Sequence, residues 1–79
     1  MNNDFFVTHD QQEGSALFQA PCKAALRTAI DYLVDRNFPF ECDYPYLCVL
    51  SLEDAADLVR YLQEDFRVYE EFIPALAIA

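Results

Sequence analysis

Residues 21–37 read PCKAALRTAIDYLVDRN and contain the clearest periodic pattern in the chain. Apolar side chains recur there every three or four positions, at Cys22, Ala25, Leu26, Ala29, Ile30, Leu33 and Val34. This spacing predicts an amphipathic helix with one apolar face. Pro21 suits the first helical position, where its missing N–H has no helical partner, and Asn37 suits a left-handed C-terminal cap. We therefore expect a helix over residues 21–36.

A second amphipathic pattern begins after Ser51. Ser51 is a favourable N-cap, Asp54 occupies the capping-box position, and Glu53 is favourable to the helix dipole. Apolar residues then recur at helical spacing, at Leu52, Ala55, Ala56, Leu58, Val59 and Leu62. The pattern predicts a second helix over residues 52–64.

The segments around the two helices have the composition of short strands. Residues 4–9 are aromatic and β-branched, residues 15–20 alternate, and a loop containing the single glycine joins them into a predicted hairpin. Residues 38–43 predict another strand. Residues 46–50 are continuously apolar, which is typical of a central strand buried on both faces. A last strand is expected to begin at residue 66 and to end near residues 70–71.

The predicted order β-β-α-β-β-α-(β) is typical of an α+β domain, in which two amphipathic helices pack on one face of a small antiparallel sheet. A length of 79 residues favours one compact domain over residues 1–79, with residues 73–79 as an apolar C-terminal tail.

The composition excludes several classes of protein. The chain has 14 acidic and five basic residues, a formal charge of −9, and 54% hydrophobic residues, which is too many for a disordered acidic tail. Such an acidic surface repels phosphate backbones, so direct nucleic-acid binding is not expected. No apolar run approaches the roughly 20 residues of a membrane-spanning helix. The start carries no basic segment of the kind found in secretory signals, so we expect a cytoplasmic protein with reduced cysteines.

The residues with reactive side chains do not form a recognisable catalytic or metal-binding motif. Cys22, Cys42, Cys48 and His9 could formally supply a zinc site, but no two of the cysteines show the usual close spacing. The sequence has no glycine-rich phosphate loop and no nucleophile motif, and one histidine does not make a Cys–His pair arguable. We expect no enzyme activity, no metal and no cofactor.

Acidic residues at helical spacing are the most suggestive feature of the chain. Glu53, Asp57 and Glu64 lie four and seven positions apart on the second predicted helix. The predicted partner-binding residues are these three together with Asp54, Tyr61 and Asp65, and an earlier group at Glu41, Asp43 and Tyr44. Carboxylates on a rigid scaffold can replace the charge of a phosphate backbone in a basic groove. The alternative is a solvated face that keeps an apolar-rich protein soluble.

In its size, its acidic segments 53–64 and 65–71 and its α+β pattern, the chain resembles small inhibitors encoded by phages and mobile elements, including anti-CRISPR and DNA-mimic proteins. The resemblance implies a non-enzymatic protein that binds a basic surface of a CRISPR effector complex in the bacterial cytoplasm and blocks DNA binding. Two alternatives use the same acidity: an immunity protein or antitoxin that neutralises a cognate basic toxin, and an acidic homodimeric interaction module.

Overall fold

A computed structural model describes residues 3–75, which form a five-stranded sheet and two helices. The elements are β1 (Asp4–Asp10), β2 (Ser15–Gln19), α1 (Lys23–Asp35), β3 (Phe40–Asp43), β4 (Tyr46–Val49), α2 (Leu52–Leu62) and β5 (Arg67–Ile73). The predicted α+β class and element order are confirmed. Residues 76–79 of the predicted apolar tail lie outside the described residues.

The strand order in the sheet is β3-β4-β2-β1-β5. Neighbouring strands are antiparallel except β1 and β5, which are parallel. These directions make β2 parallel to β3 and β4 parallel to β5. Because parallel strands need a crossover connection, α1 joins the first pair and α2 joins the second. Both helices cover the same face of the sheet and contact each other.

The core lies between this face of the sheet and the helices. Alternate strand residues point into it, since successive side chains on a strand face opposite ways. The sheet contributes Phe5, Val7, Ala16, Phe18, Leu47 and Val49, and the helices contribute Ala25, Leu26, Ala29, Leu33, Ala55, Leu58, Val59 and Leu62. The apolar faces predicted for the helices therefore supply half of the core.

The helix ends largely follow the predicted capping residues. Asn37 has a left-handed φ of 59° and ends α1, as predicted. The Ser51 hydroxyl accepts a hydrogen bond from the backbone N–H of Asp54 at 3.4 Å, which confirms the predicted cap of α2. The start of α1 was predicted too early, because Cys22 is the extended N-cap residue and Pro21 precedes it.

Four expectations about apolar residues are wrong, and one of them concerns Ala56 of α2, which is exposed. Cys22 is exposed because it lies outside the helix, and Val34 is 58% exposed at the border of the buried face. Residues 46–50 are not buried on both sides, because both helices lie on one face and leave Tyr46 and Leu50 exposed on the other. In addition, α2 ends at Leu62, and β5 continues to Ile73. No helix within residues 3–75 is long and apolar enough to cross a membrane.

Candidate protein-binding surface

The sheet face opposite the helices is exposed in the described part of the chain. Its central side chains come from all five strands, and we call them the open face: Phe6, Thr8, Leu17, Gln19, Glu41, Asp43, Tyr46, Cys48, Tyr69 and Glu71. Most of them alternate with buried residues of the same strand and therefore point away from the core. The others pair in register with outward-pointing residues of a neighbouring strand and point the same way. The open face is thus built on hydrogen-bonded strands rather than on loops.

The strand register arranges the open face in two rows. One row runs Asp43, Tyr46, Gln19, Phe6, Tyr69, and the next runs Glu41, Cys48, Leu17, Thr8, Glu71. Both rows have neutral side chains in the middle. Carboxylates stand at one end of the first row and at both ends of the second, on the two edge strands.

Aromatic and aliphatic side chains form the apolar part of the open face. The rings of Phe6 and Tyr69 are stacked, with centroids 5.4 Å apart and an interplanar angle of 18°. Each of these residues is 47% exposed, and Tyr46 and Leu17 are 45% and 44% exposed. Contiguous exposed apolar side chains within a polar border are typical of protein interaction sites.

The border of the open face is acidic. Glu41, Asp43 and Glu71 are exposed, and none of them has an ion-pair partner among residues 3–75. Four strand spacings separate β3 from β5, so Glu41 and Glu71 stand roughly 19 Å apart. One cation, Arg67, stands at the end of β5 opposite Asp4, outside the two rows. The open face therefore presents an excess of negative charge to solvent.

The acidic residues predicted on α2 lie in different environments. Glu53 and Asp54 lie in its first turn, where carboxylates stabilise the positive end of the helix dipole. Asp57 accepts a hydrogen bond from the Arg60 guanidinium one turn later. Of the acidic residues predicted on this helix, Asp57 alone has an ion-pair partner among residues 3–75.

Tyr61 joins the two helices. Its ring stacks on Tyr32 of α1, with centroids 4.3 Å apart and an interplanar angle of 22°. The guanidinium carbon of Arg36 lies 4.4 Å from the centroid of the Tyr32 ring. Tyr61 nevertheless remains 39% exposed.

The remaining predicted binding residues lie in two connections. Glu64 and Asp65 are exposed in the turn between α2 and β5, beside a cleft that Asn3, Gln63 and Arg67 also line. Tyr44 lies in the turn between β3 and β4, and the Lys23 ammonium is 5.7 Å from the centroid of its ring.

The structure therefore divides the nine predicted residues between different surfaces. Glu41 and Asp43 are on the open face, whereas the residues of α2 lie on the other side of the sheet. The open-face residues that the sequence analysis did not select are Phe6, Leu17, Tyr69 and Glu71 among others. The sequence does contain information about this surface. Two helices predicted on one face of a sheet imply that every second residue of each strand is exposed on the other face.

His9 is a buried polar residue with a role that sequence reasoning did not identify. Its Nε2 atom lies 2.9 Å from Oε1 of Glu70, and its ring stacks on Phe72 with centroids 4.4 Å apart. Two residues of β5 thus contact the imidazole, one through a hydrogen bond to Nε2 and one through ring stacking. Within residues 3–75, no three His, Cys, Asp or Glu side chains are grouped as metal ligands.

Comparison of the chain with protein-family models, curated proteins and solved structures finds no match.

Proposed function

We propose that this protein is a non-enzymatic inhibitor that acts in the cytoplasm of a bacterial host, where it binds a basic surface of a CRISPR effector complex and blocks DNA binding. The observation that carries the proposal is a set of exposed carboxylates on paired strands that have no ion-pair partner among residues 3–75, represented by Glu41, Asp43 and Glu71. The hydrogen-bonded sheet holds the backbone of these residues in place, so that only their side chains have to be ordered on binding.

A basic groove that holds DNA is lined by lysine and arginine side chains, which the phosphates neutralise. Carboxylates placed in that groove make the same charge interactions and exclude DNA by occupying its site. Complementary charge also speeds the encounter, since opposite potentials steer the two molecules together. The net charge of −9 on a chain of 79 residues supplies such a potential.

The experiment is a competition assay with purified, guide-loaded CRISPR effector complexes and fluorescently labelled target DNA. We expect the protein to prevent DNA binding at about 50 mM NaCl and to lose most of this effect at about 300 mM, because salt screens exposed charges. Unchanged DNA affinity for every effector at the lower salt concentration would overturn the proposal. In that case, neutralisation of a basic toxin encoded beside the gene is the next activity to measure.

A further inference from the structure

We propose that the open face is the docking surface of this protein, and that it receives a protein surface presenting arginine side chains. The inference deepens the proposed function and rests on it for the kind of partner. It commits to the sheet rather than to α2, where the sequence analysis placed most of the binding residues.

The apolar part of the open face has the character of an interface core. Phe6, Leu17, Tyr46 and Tyr69 each expose more than two fifths of their surface on one side of a rigid sheet. Aromatic side chains contribute most of the binding energy in many protein interfaces, because they bury a large area at a small cost in entropy. Stacking between Phe6 and Tyr69 already orders two of these rings in the free protein.

The acidic border identifies the chemistry of the partner. A guanidinium group forms paired hydrogen bonds with a carboxylate and also stacks on aromatic rings, whereas an ammonium group acts as a point charge. The open face offers both kinds of contact in one place, since Asp43 and Tyr46 are cross-strand neighbours at one edge. The chain itself contains a guanidinium group over an aromatic ring, in Arg36 and Tyr32.

Two other occupants fit less well. In a face-to-face dimer, the acidic border of one copy would stand against the same acidic border of the second, and each copy carries a charge of −9. Bases of a nucleic acid could stack on Phe6 and Tyr69, but the adjoining carboxylates would repel the phosphates. An arginine-bearing protein surface satisfies the aromatic and the acidic parts of the open face together.

The test is an NMR titration of the full-length, ¹⁵N-labelled protein with an oligo-arginine peptide, and with an oligo-lysine peptide of equal length. We expect the largest amide shifts from the arginine peptide on β1, β4 and β5 around Phe6, Tyr46 and Tyr69, and weaker binding of the lysine peptide. Shifts concentrated on α2, equal binding of the two peptides, or no shifts would each overturn the inference.

A pair of matched variants isolates the location of the charge. One variant combines Glu41→Gln, Asp43→Asn and Glu71→Gln on the open face. The control combines E53Q, D57N and E64Q in and after α2, and removes the same number of negative charges. We expect the first variant to weaken binding of the arginine peptide about tenfold, as the loss of three exposed charge pairs implies, and the control to weaken it less than about twofold. Equal effects of the two variants would overturn the inference.

A pair of single substitutions tests the aromatic contribution separately. Tyr69 and Tyr44 are almost equally exposed, but only Tyr69 belongs to the open face. Tyr69→Ala should weaken binding of the arginine peptide several-fold, and Tyr44→Ala should leave it unchanged. If both retain full affinity while circular dichroism shows both folded, the aromatic side chains do not form the contact.

The same variants distinguish failure of this inference from failure of the proposed function. If only the α2 triple variant loses inhibition of an effector, the inference about the open face fails and the proposed function stands. If the open face binds the arginine peptide but no effector loses DNA binding, the proposed function fails and the docking surface stands. Concentration-dependent dimerisation that Tyr69→Ala removes would assign the open face to a second copy and overturn the inference.

Discussion

Asn37 illustrates how one residue sets the end of a helix. Its φ of 59° places it in the left-handed region. Most residues other than glycine and asparagine adopt this backbone conformation only at a cost in free energy. We expect Asn37→Ala to lower the free energy of unfolding by about 1 kcal/mol and Asn37→Gly to leave it nearly unchanged. Urea denaturation of the two variants measures the difference. Equal stability of both would show that the conformation of Asn37 carries no such cost.

His9 and Glu70 give a second prediction for single residues. The His9 imidazole is buried, so removal of the carboxylate in Glu70→Ala leaves its Nε2 atom without this partner. An unsatisfied buried polar group costs about 1–3 kcal/mol, and we expect thermal or urea unfolding to show a loss of that size. Glu70→Gln keeps an amide oxygen near the ring and should lose less.

Glu71→Ala is the matched control for Glu70→Ala. Glu71 is the next residue of β5, but it points to the open face and has no ion-pair partner within residues 3–75. Its removal should change the free energy of unfolding by less than about 0.5 kcal/mol. A loss equal to that of Glu70→Ala would mean that the interaction with His9 contributes nothing specific.

The contact between the two helices can be measured as a coupling between Tyr32 and Tyr61. Their stacked rings predict a coupling energy of about 0.5–1.5 kcal/mol in a double-mutant cycle with Tyr32→Leu and Tyr61→Leu. The cycle is read from urea denaturation of the wild type, the two single variants and the double variant. A coupling energy near zero would show that the contact with Tyr32 does not stabilise the fold. Tyr61 would then remain a candidate for the partner-binding role predicted from the sequence.

The elements themselves were largely predictable, because each depends on local chemistry. The spacing of apolar residues specified both helices, and Ser51 and Asn37 specified one end of each. The composition of the open face was less predictable, because it depends on which strands are neighbours. The pairing of β5 with β1 brings Tyr69 beside Phe6, although the two residues are far apart in the sequence. No local pattern contains that information.

The same limit explains why the acidic residues of α2 were favoured over those of the sheet. Helical periodicity makes Glu53 and Asp57 visible as a group in the sequence, whereas Glu41 and Glu71 become one surface only through the strand order. Periodicity also cannot show that Arg60 pairs with Asp57. Helical periodicity therefore groups the acidic residues of one element without showing which of them have partners.

The charge of the whole molecule gives the last prediction. A net charge of −9 on one small domain opposes folding, because like charges are brought closer together in the compact state. The triple variant Glu41→Gln, Asp43→Asn and Glu71→Gln should therefore have a higher melting temperature than the wild type at low salt, while its binding to the arginine peptide falls. Added NaCl should raise the melting temperature of the wild type and reduce the difference, since salt screens the repulsion. Scanning calorimetry at several salt concentrations measures both effects. Groups that serve binding often lower the stability of a protein, and their removal then raises it. A triple variant that both melts at a lower temperature and binds more weakly would contradict this prediction. It would show that the three carboxylates stabilise the fold.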